Sequence, residues 1–243
     1  MWTVLVATAP SLALITYFYL RDRYESEPIS SLLLAFCLGM FAMLAAQSLG
    51  VYLADLCTDD FLRHGGEPGR LLDAFVVTAL VEEFSRWFVL VVAVYHWKVF
   101  DEPMDGIVYG VVVALGFASL ENYLYLSNRG LSLAWQRALF AVPAHALFGG
   151  GMGYFLGRAK FGRSTGWGAI RPWVAALFLP TLAHGAYDFA LTHGLGQTVW
   201  IVVTVLSVGF WILVLGRLRH AEKASPFRPK TMLPSDFQLP PRK

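Results

Sequence analysis

Charge is scarce in this sequence. Asp, Glu, Lys and Arg make up 15% of its 243 residues, against about 25% in ordinary soluble domains. Lysine is absent from the interior of every long apolar run, which excludes a retinal Schiff base of the seven-helix photoreceptor kind. The two cysteines, Cys37 and Cys57, cannot form a disulfide framework and lack metal-ligand spacing, so both read as packing residues. No HExxH zinc motif is present, and no internal repeat of the kind that marks many transporters. The net charge of +2 is not gathered on a basic face, because Lys and Arg sit at the ends of apolar runs; a nucleic-acid partner is not expected.

What is abundant is apolar. Hydrophobic residues make up 56% of the chain and the mean hydropathy is +0.54, the composition of a polytopic membrane protein embedded in a lipid bilayer. Seven runs approach the roughly 20 residues needed to cross a bilayer: 2–20, 29–54, 71–97, 107–126, 134–157, 172–193 and 197–216. Polar punctuators separate them, among them RDRYESEP after the first, RHGGEPGR after the second and DEPMDG after the third. A short link around Gly194 and Gly196 predicts a tight hairpin between the last two. Pro10 and the lack of a basic leader argue against a cleavable signal peptide. The fold class that follows is all-α, a helix bundle of about seven spans forming one domain over 1–216. The basic, proline-containing tail 217–243 is expected to be flexible and cytoplasmic.

The cations give an orientation. Arg21, Arg23, Lys98, Arg158, Lys160, Arg163, Arg171 and the seven basic residues of the tail fall on one side. Arg63, Arg70, Arg129 and Arg137 fall on the other. The positive-inside rule then places the N-terminus outside and the C-terminus in the cytoplasm of a bacterial-type plasma membrane.

Ionisable residues avoid the first, second and seventh spans. They concentrate in spans three to six as Glu82, Glu83, Arg86, Glu121, His145, His184 and Asp188. One charge at the centre of a lipid-embedded helix costs about 2.5–3.5 kcal/mol on insertion scales, so these groups must face one another or a wet cavity. Spans three to six are therefore expected to wall a polar site on a scaffold of the other three. Glu82 and Glu83 point about 100° apart on one helix, and Arg86 is spaced to pair with either. That leaves one carboxylate without a cation. His184 and Asp188, four residues apart, share a helix face, where an Asp orients a His or joins it on a metal. Gly149, Gly153 and Gly157 repeat every fourth residue, the spacing of close helix packing.

Taken in order, Glu82-Glu83-x-x-Arg86, Phe117-x-x-x-Glu121-Asn122, His145-x-x-x-Gly149 and His184-x-x-x-Asp188 resemble the PrsW family of intramembrane proteases. That family is related to the CAAX prenyl endopeptidases and bacteriocin-processing enzymes. The resemblance runs over about residues 71–192. It implies functional roles for Glu82, Glu83, Glu121, His145, His184 and Asp188, with Arg86, Phe117 and Asn122 in support. It also implies a membrane-anchored, anti-sigma-factor-like protein substrate cut on the extracytoplasmic side. Arg86 stands where the family usually has Lys, while the wider superfamily tends to have His at the position of Glu121 and Asn at that of Asp188.

The chemistry of these residues suits amide hydrolysis. A desolvated carboxylate, Glu82 or Glu83, serves as general base. His184 or His145 polarises the carbonyl, Asp188 orients His184, and Glu121 shares the proton or positions the water. On this reading no cofactor is expected. The alternatives are a zinc enzyme of the same reaction class, with ligands among His145, His184, Glu121 and Asp188, and a proton-coupled transporter using the buried relay.

Overall fold

In the computed structural model, which describes residues 2–57, 59–192 and 198–228, the apolar runs become helices and no strand forms among the described residues. Helix α1 spans Trp2–Arg21 and α2 Ile29–Leu56, followed by the short α3, Asp59–His64. Helix α4 covers residues 66–92 as a regular start, Gly66–Leu72, a wide π-helical stretch, Asp73–Leu80, and a regular end, Val81–Val92. Helices α5 (Pro103–Arg129), α6 (Leu131–Phe161), α7 (Trp167–Thr192) and α8 (Thr198–Ala224) complete the bundle. Among the described residues, α1, α2, α5, α6, α7 and α8 are long and apolar enough to cross a membrane. Helix α4 is the seventh long helix and carries Glu82, Glu83 and Arg86.

The boundaries differ from the expected ones for local reasons. Helix α5 starts at Pro103 instead of 107, because Pro suits a first helical turn and the Asp105 carboxylate accepts the backbone N–H groups of Asp101 (2.7 Å) and Glu102 (2.8 Å). Helix α4 ends at Val92 instead of 97, where a tight turn, Val94–His96, leads to an extended Trp97. Helix α8 continues past 216 to Ala224, with Leu218 and Ala221 buried, so the expected flexible tail begins as helix. The expected hairpin link at 193–197 and the end of the tail at 229–243 lie outside the described residues.

Helix α5 is the axis of the molecule. Its side chains from Met104 to Ser119 are all buried, covered by α1, α2, α6 and α8. The outer helices turn Leu12, Leu33, Phe41, Ile201, Val205 and Ile212 outward, as bilayer-facing surfaces do. Helices α5 and α6 meet backbone to backbone. A Cβ added at Gly110 would run into the carbonyl oxygen of Gly149, and one at Gly153 into that of Gly106. Small residues at this spacing allow such an approach where a larger side chain would hold the helices apart.

Candidate active site

The walls of the polar site come from α4, α5, α6 and α7. Glu82, Glu121, His145, His184 and Asp188 line one cavity of about 110 Å³, together with Thr78, Arg137 and Tyr187. The sequence motifs separated by up to a hundred residues thus converge. Glu82 also borders a second hollow of about 220 Å³ toward α2, lined by Met43, Gln47, Gly50 and Val77 among others.

The two adjacent glutamates have different surroundings. Glu83 is 0% exposed, whereas the Glu82 side chain is 19% exposed and faces the cavity. Beneath the cavity lies Arg86. Its Nη2 donates to Glu83 Oε1 at 2.7 Å and, more weakly, to Glu82 Oε2 at 3.4 Å. Its Nη1 donates to His145 Nδ1 at 2.7 Å, and its guanidinium lies over the Phe117 ring, 4.5 Å from the centroid. Phe117 is therefore the platform for Arg86, a cation–π contact in a desolvated setting.

These contacts fix the imidazoles. Arginine can only donate, so His145 accepts through Nδ1 and, as a neutral ring, carries its proton on Nε2, which donates to Glu121 Oε2 at 2.9 Å. His184 is held the opposite way. Its Nδ1 lies 2.9 Å from Glu83 Oε1 and 3.3 Å from Arg86 Nη2; the nearer carboxylate can only accept, so Nδ1 donates to it, while its Nε2 looks toward Asp188 Oδ2 at 3.2 Å and Glu82 Oε2 at 3.9 Å. Phe148 stacks on the His184 ring at 5.1 Å. Asp188 thus lies within hydrogen-bonding distance of the His184 Nε2.

Arg137 is the site residue that the sequence pattern conceals, since it reads there as one of the loop cations. It lies inside α6, pairs with Glu121 Oε1 at 2.8 Å and donates to Asn122 Oδ1. Asn122 in turn donates to the Ala7 carbonyl of α1 at 3.4 Å, which ties the site to the scaffold. The sequence held a signal: Glu121 and Arg137 flank the Gly130 turn at similar distances on antiparallel neighbours, which puts them at one depth.

The helices are irregular next to these residues. The π-helical stretch Asp73–Leu80 ends just before Glu82. A second one, Arg137–Ala141, followed by Pro143, precedes His145, and Pro180 stands one turn before His184. Wide turns re-aim the side chains that follow them and recur at functional sites.

The donor set suits a zinc ion through His184, although no three residues around this cavity bring ligand atoms within 4.8 Å of one another among the described residues. Its Nδ1–H is held by a carboxylate, the arrangement that presents Nε2 to a metal, and Asp188, Glu82 and Glu121 supply oxygens around the same cavity. His145 does not fit as a ligand while Arg86 donates to its Nδ1, because its Nε2 then keeps a proton.

The chain matches the family model described as "PrsW family intramembrane metalloprotease" over residues 27–216. It is 38% identical over 216 residues to Protease PrsW of Bacillus subtilis (strain 168), covering 89% of this chain and 92% of that protein. Identity to Protease PrsW of Geobacillus kaustophilus (strain HTA426) is 37% over 236 residues, 95% and 96% of the two chains. For Protease PrsW of Clostridioides difficile (strain 630) it is 32% over 227 residues, 90% and 92%. No solved structure matches the chain. The family's description as a metalloprotease is compatible with zinc and does not support the expectation of a cofactor-free enzyme. It favours the hydrolase over the transporter. The chain belongs to the PrsW family of intramembrane proteases, as a membrane-embedded peptide hydrolase.

Proposed function

We propose that this protease cleaves a membrane-tethered protein, anti-sigma-factor-like by family resemblance, at a peptide bond brought to the cavity between α4 and α7, with Glu82 as the general base. The observation that carries this assignment is the contrast between the two glutamates: Glu82 borders the cavity, while Glu83 lies away from it, fully buried, with Oε1 bonded to Arg86 and His184 and Oε2 unpartnered. Glu82 takes a proton from water as the water oxygen attacks the scissile carbonyl carbon. The carbonyl oxygen gains negative charge, which His184 meets through Nε2–H as an imidazolium held between Glu83 and Asp188. As the C–N bond breaks, the leaving amine takes from Glu82 the proton that Glu82 took from water. Glu83 and Arg86 position the two imidazoles without touching substrate. A zinc ion held by His184 and Asp188, with Glu121 from the facing wall, would polarise the carbonyl and lower the pKa of a water.

The site lies toward the end of the bundle that carries the C-termini of α5 and α7. With the orientation expected from the cations, this is the extracytoplasmic end, and cleavage outside the cytoplasm follows from that orientation.

The test uses purified full-length protein in proteoliposomes with a single-pass membrane substrate. Glu82→Gln should reduce cleavage by about 10²–10⁴-fold, with its thermal midpoint kept within about 3 °C because the side chain is partly exposed. Full cleavage by Glu82→Gln would remove the assignment. Metal content of the active protein, measured alongside, separates the zinc form from one that works through Glu82 alone.

A further inference from the structure

The opposite end of the bundle holds a second polar cluster. The link between α1 and α2 brings Asp22, Glu25 and Glu27 against Glu102 and Asp105 at the start of α5. Carboxylate oxygens of Asp22, Glu102 and Asp105 lie within 4.8 Å of one another, as do those of Glu25, Glu27 and Asp105. Asp105 belongs to both groups and is 0% exposed; Glu27 is 2% and Asp22 5% exposed. At 1.5 Å per residue, Asp105 and Glu121 stand about 24 Å apart along α5, so this cluster is separate from the protease site.

Hydrogen bonds satisfy only part of it. Asp105 Oδ2 accepts two backbone N–H groups and Glu27 Oε2 accepts the Tyr109 hydroxyl. The other oxygens, Asp105 Oδ1 and Glu27 Oε1, accept no N–H or O–H of the chain, and neither does Asp22 Oδ2; Glu27 and Asp105 are close enough to each other to share a proton. Among the described residues no Lys or Arg lies within ion-pair distance of these acids. Arg23 pairs with Glu222 instead, and Lys160 donates to the Tyr95 carbonyl, its charge reaching Asp105 only from beyond ion-pair distance. Burial, reinforced by the facing carboxylates, pushes Asp22 up to about 7, and burial with Asp105 opposite pushes Glu27 up to about 9.

Buried carboxylates without cations are costly, and in proteins they are paired or coordinate metals. Three unpartnered oxygens from two chain segments converge here, all of them hard donors with no nitrogen or sulfur among them. That chemistry selects calcium or magnesium over zinc. We propose that the cluster of Asp22, Glu25, Glu27, Glu102 and Asp105 binds a divalent calcium or magnesium ion. The ion joins the α1–α2 link to the start of α5, the helix that carries Glu121 toward its other end.

The experiment uses full-length protein in detergent, stripped with a chelator and then supplied with zinc alone, zinc plus calcium, or zinc plus magnesium. The thermal midpoint should rise by about 5–10 °C with calcium or magnesium at saturation, and the arm that acts at the lower concentration names the preferred ion. Terbium, used as a calcium substitute, should bind with one-to-one stoichiometry and emit through Tyr109, which touches Glu27 and has Trp97 at 5.3 Å. Asp22→Asn and Glu27→Gln should each weaken binding by about tenfold or more, whereas Asp188→Asn at the protease site should leave terbium binding unchanged. Should the cluster variants fail to fold, saturable binding of radiolabelled calcium to the wild-type protein, competed by magnesium, decides the matter. Absence of saturable binding overturns the proposal, as does a midpoint that follows pH but neither cation, which would assign the cluster to shared protons. An unaltered response in both cluster variants overturns it as well.

Discussion

Replacing Arg86 by Met removes the guanidinium that Glu83 contacts and the donor that fixes His145. Arg86 is 1% exposed and Glu83 0%, so neither charge has water to fall back on. Breaking a buried pair on one side costs about 3–5 kcal/mol. For a protein of this size each kcal/mol moves the midpoint by about 2–4 °C, so Arg86→Met should melt roughly 6–20 °C lower. Cleavage should fall by about 10²–10⁴-fold, the range for loss of an acid–base group or of the correct histidine tautomer. The double variant Glu83→Gln/Arg86→Met discriminates between causes. With both charges gone it should recover at least about half of the lost stability, yet remain inactive, because His145 Nδ1 still lacks its donor and His184 Nδ1 its carboxylate. Arg86→Lys should keep most of the stability but only part of the activity, since an ammonium cannot span Glu83 and His145 as the guanidinium fork does. Scanning unfolding in detergent and cleavage of a single-pass substrate in proteoliposomes supply both readouts. If Arg86→Met cleaves within twofold of wild type, Arg86 does not set the working state of the imidazoles.

Asp188→Asn should lower kcat by about 10²-fold while KM stays within about threefold; a raised KM with unchanged kcat would make Asp188 a binding residue. Gly153→Leu should destabilise by more than about 3 kcal/mol, or prevent recovery of folded protein, because its side chain meets the Gly106 backbone. Gly151→Ala, whose Cβ meets nothing within 4 Å, should be neutral or stabilising by up to about 1 kcal/mol, and equal effects at 151 and 153 would discount the close α5–α6 contact. Glu121→Cys and Asp188→Cys, each in a Cys37→Ser/Cys57→Ser background, should react with a membrane-impermeant thiol reagent on intact cells. Labelling in inverted vesicles alone would reverse the orientation.

The seven-helix bundle was legible because lipid imposes a length and a polarity on every spanning run, and the polar site because charge is so expensive at that depth. Glu82, Glu121, His145, His184 and Asp188 could be grouped on those grounds without knowing how the helices pack. Their division of labour could not. Adjacent positions such as 82 and 83 differ by only 100° of rotation, and the π-helical turns before Glu82 and His145 shift that angle without any mark in hydrophobic periodicity. Arg137 was hidden by its place near a turn, where cations are ordinary. Asp22, Glu27, Glu102 and Asp105 read as loop punctuation because their burial depends on two loops, far apart in sequence, folding against each other. The start of α5 was missed for a related reason: its cap is made by carboxylates, which a search for apolar runs treats as the end of a span.

The backbone contact of Gly106 and Gly110 with Gly149 and Gly153 has a mechanical consequence. Two helices that touch through their main chains leave little room to slide or re-pack, which makes α5 and α6 a stiff pair, a jaw that carries Glu121, Arg137 and His145 together. The opposing jaw is built differently. Helix α4 reaches Glu82 through widened turns, α7 reaches His184 just past Pro180, and Phe75 of α4 packs on Gly185 of α7. A swing of α4 and α7 against the α5–α6 body would widen the cavity at Thr78 and Glu82, which border the hollows on both sides of α4.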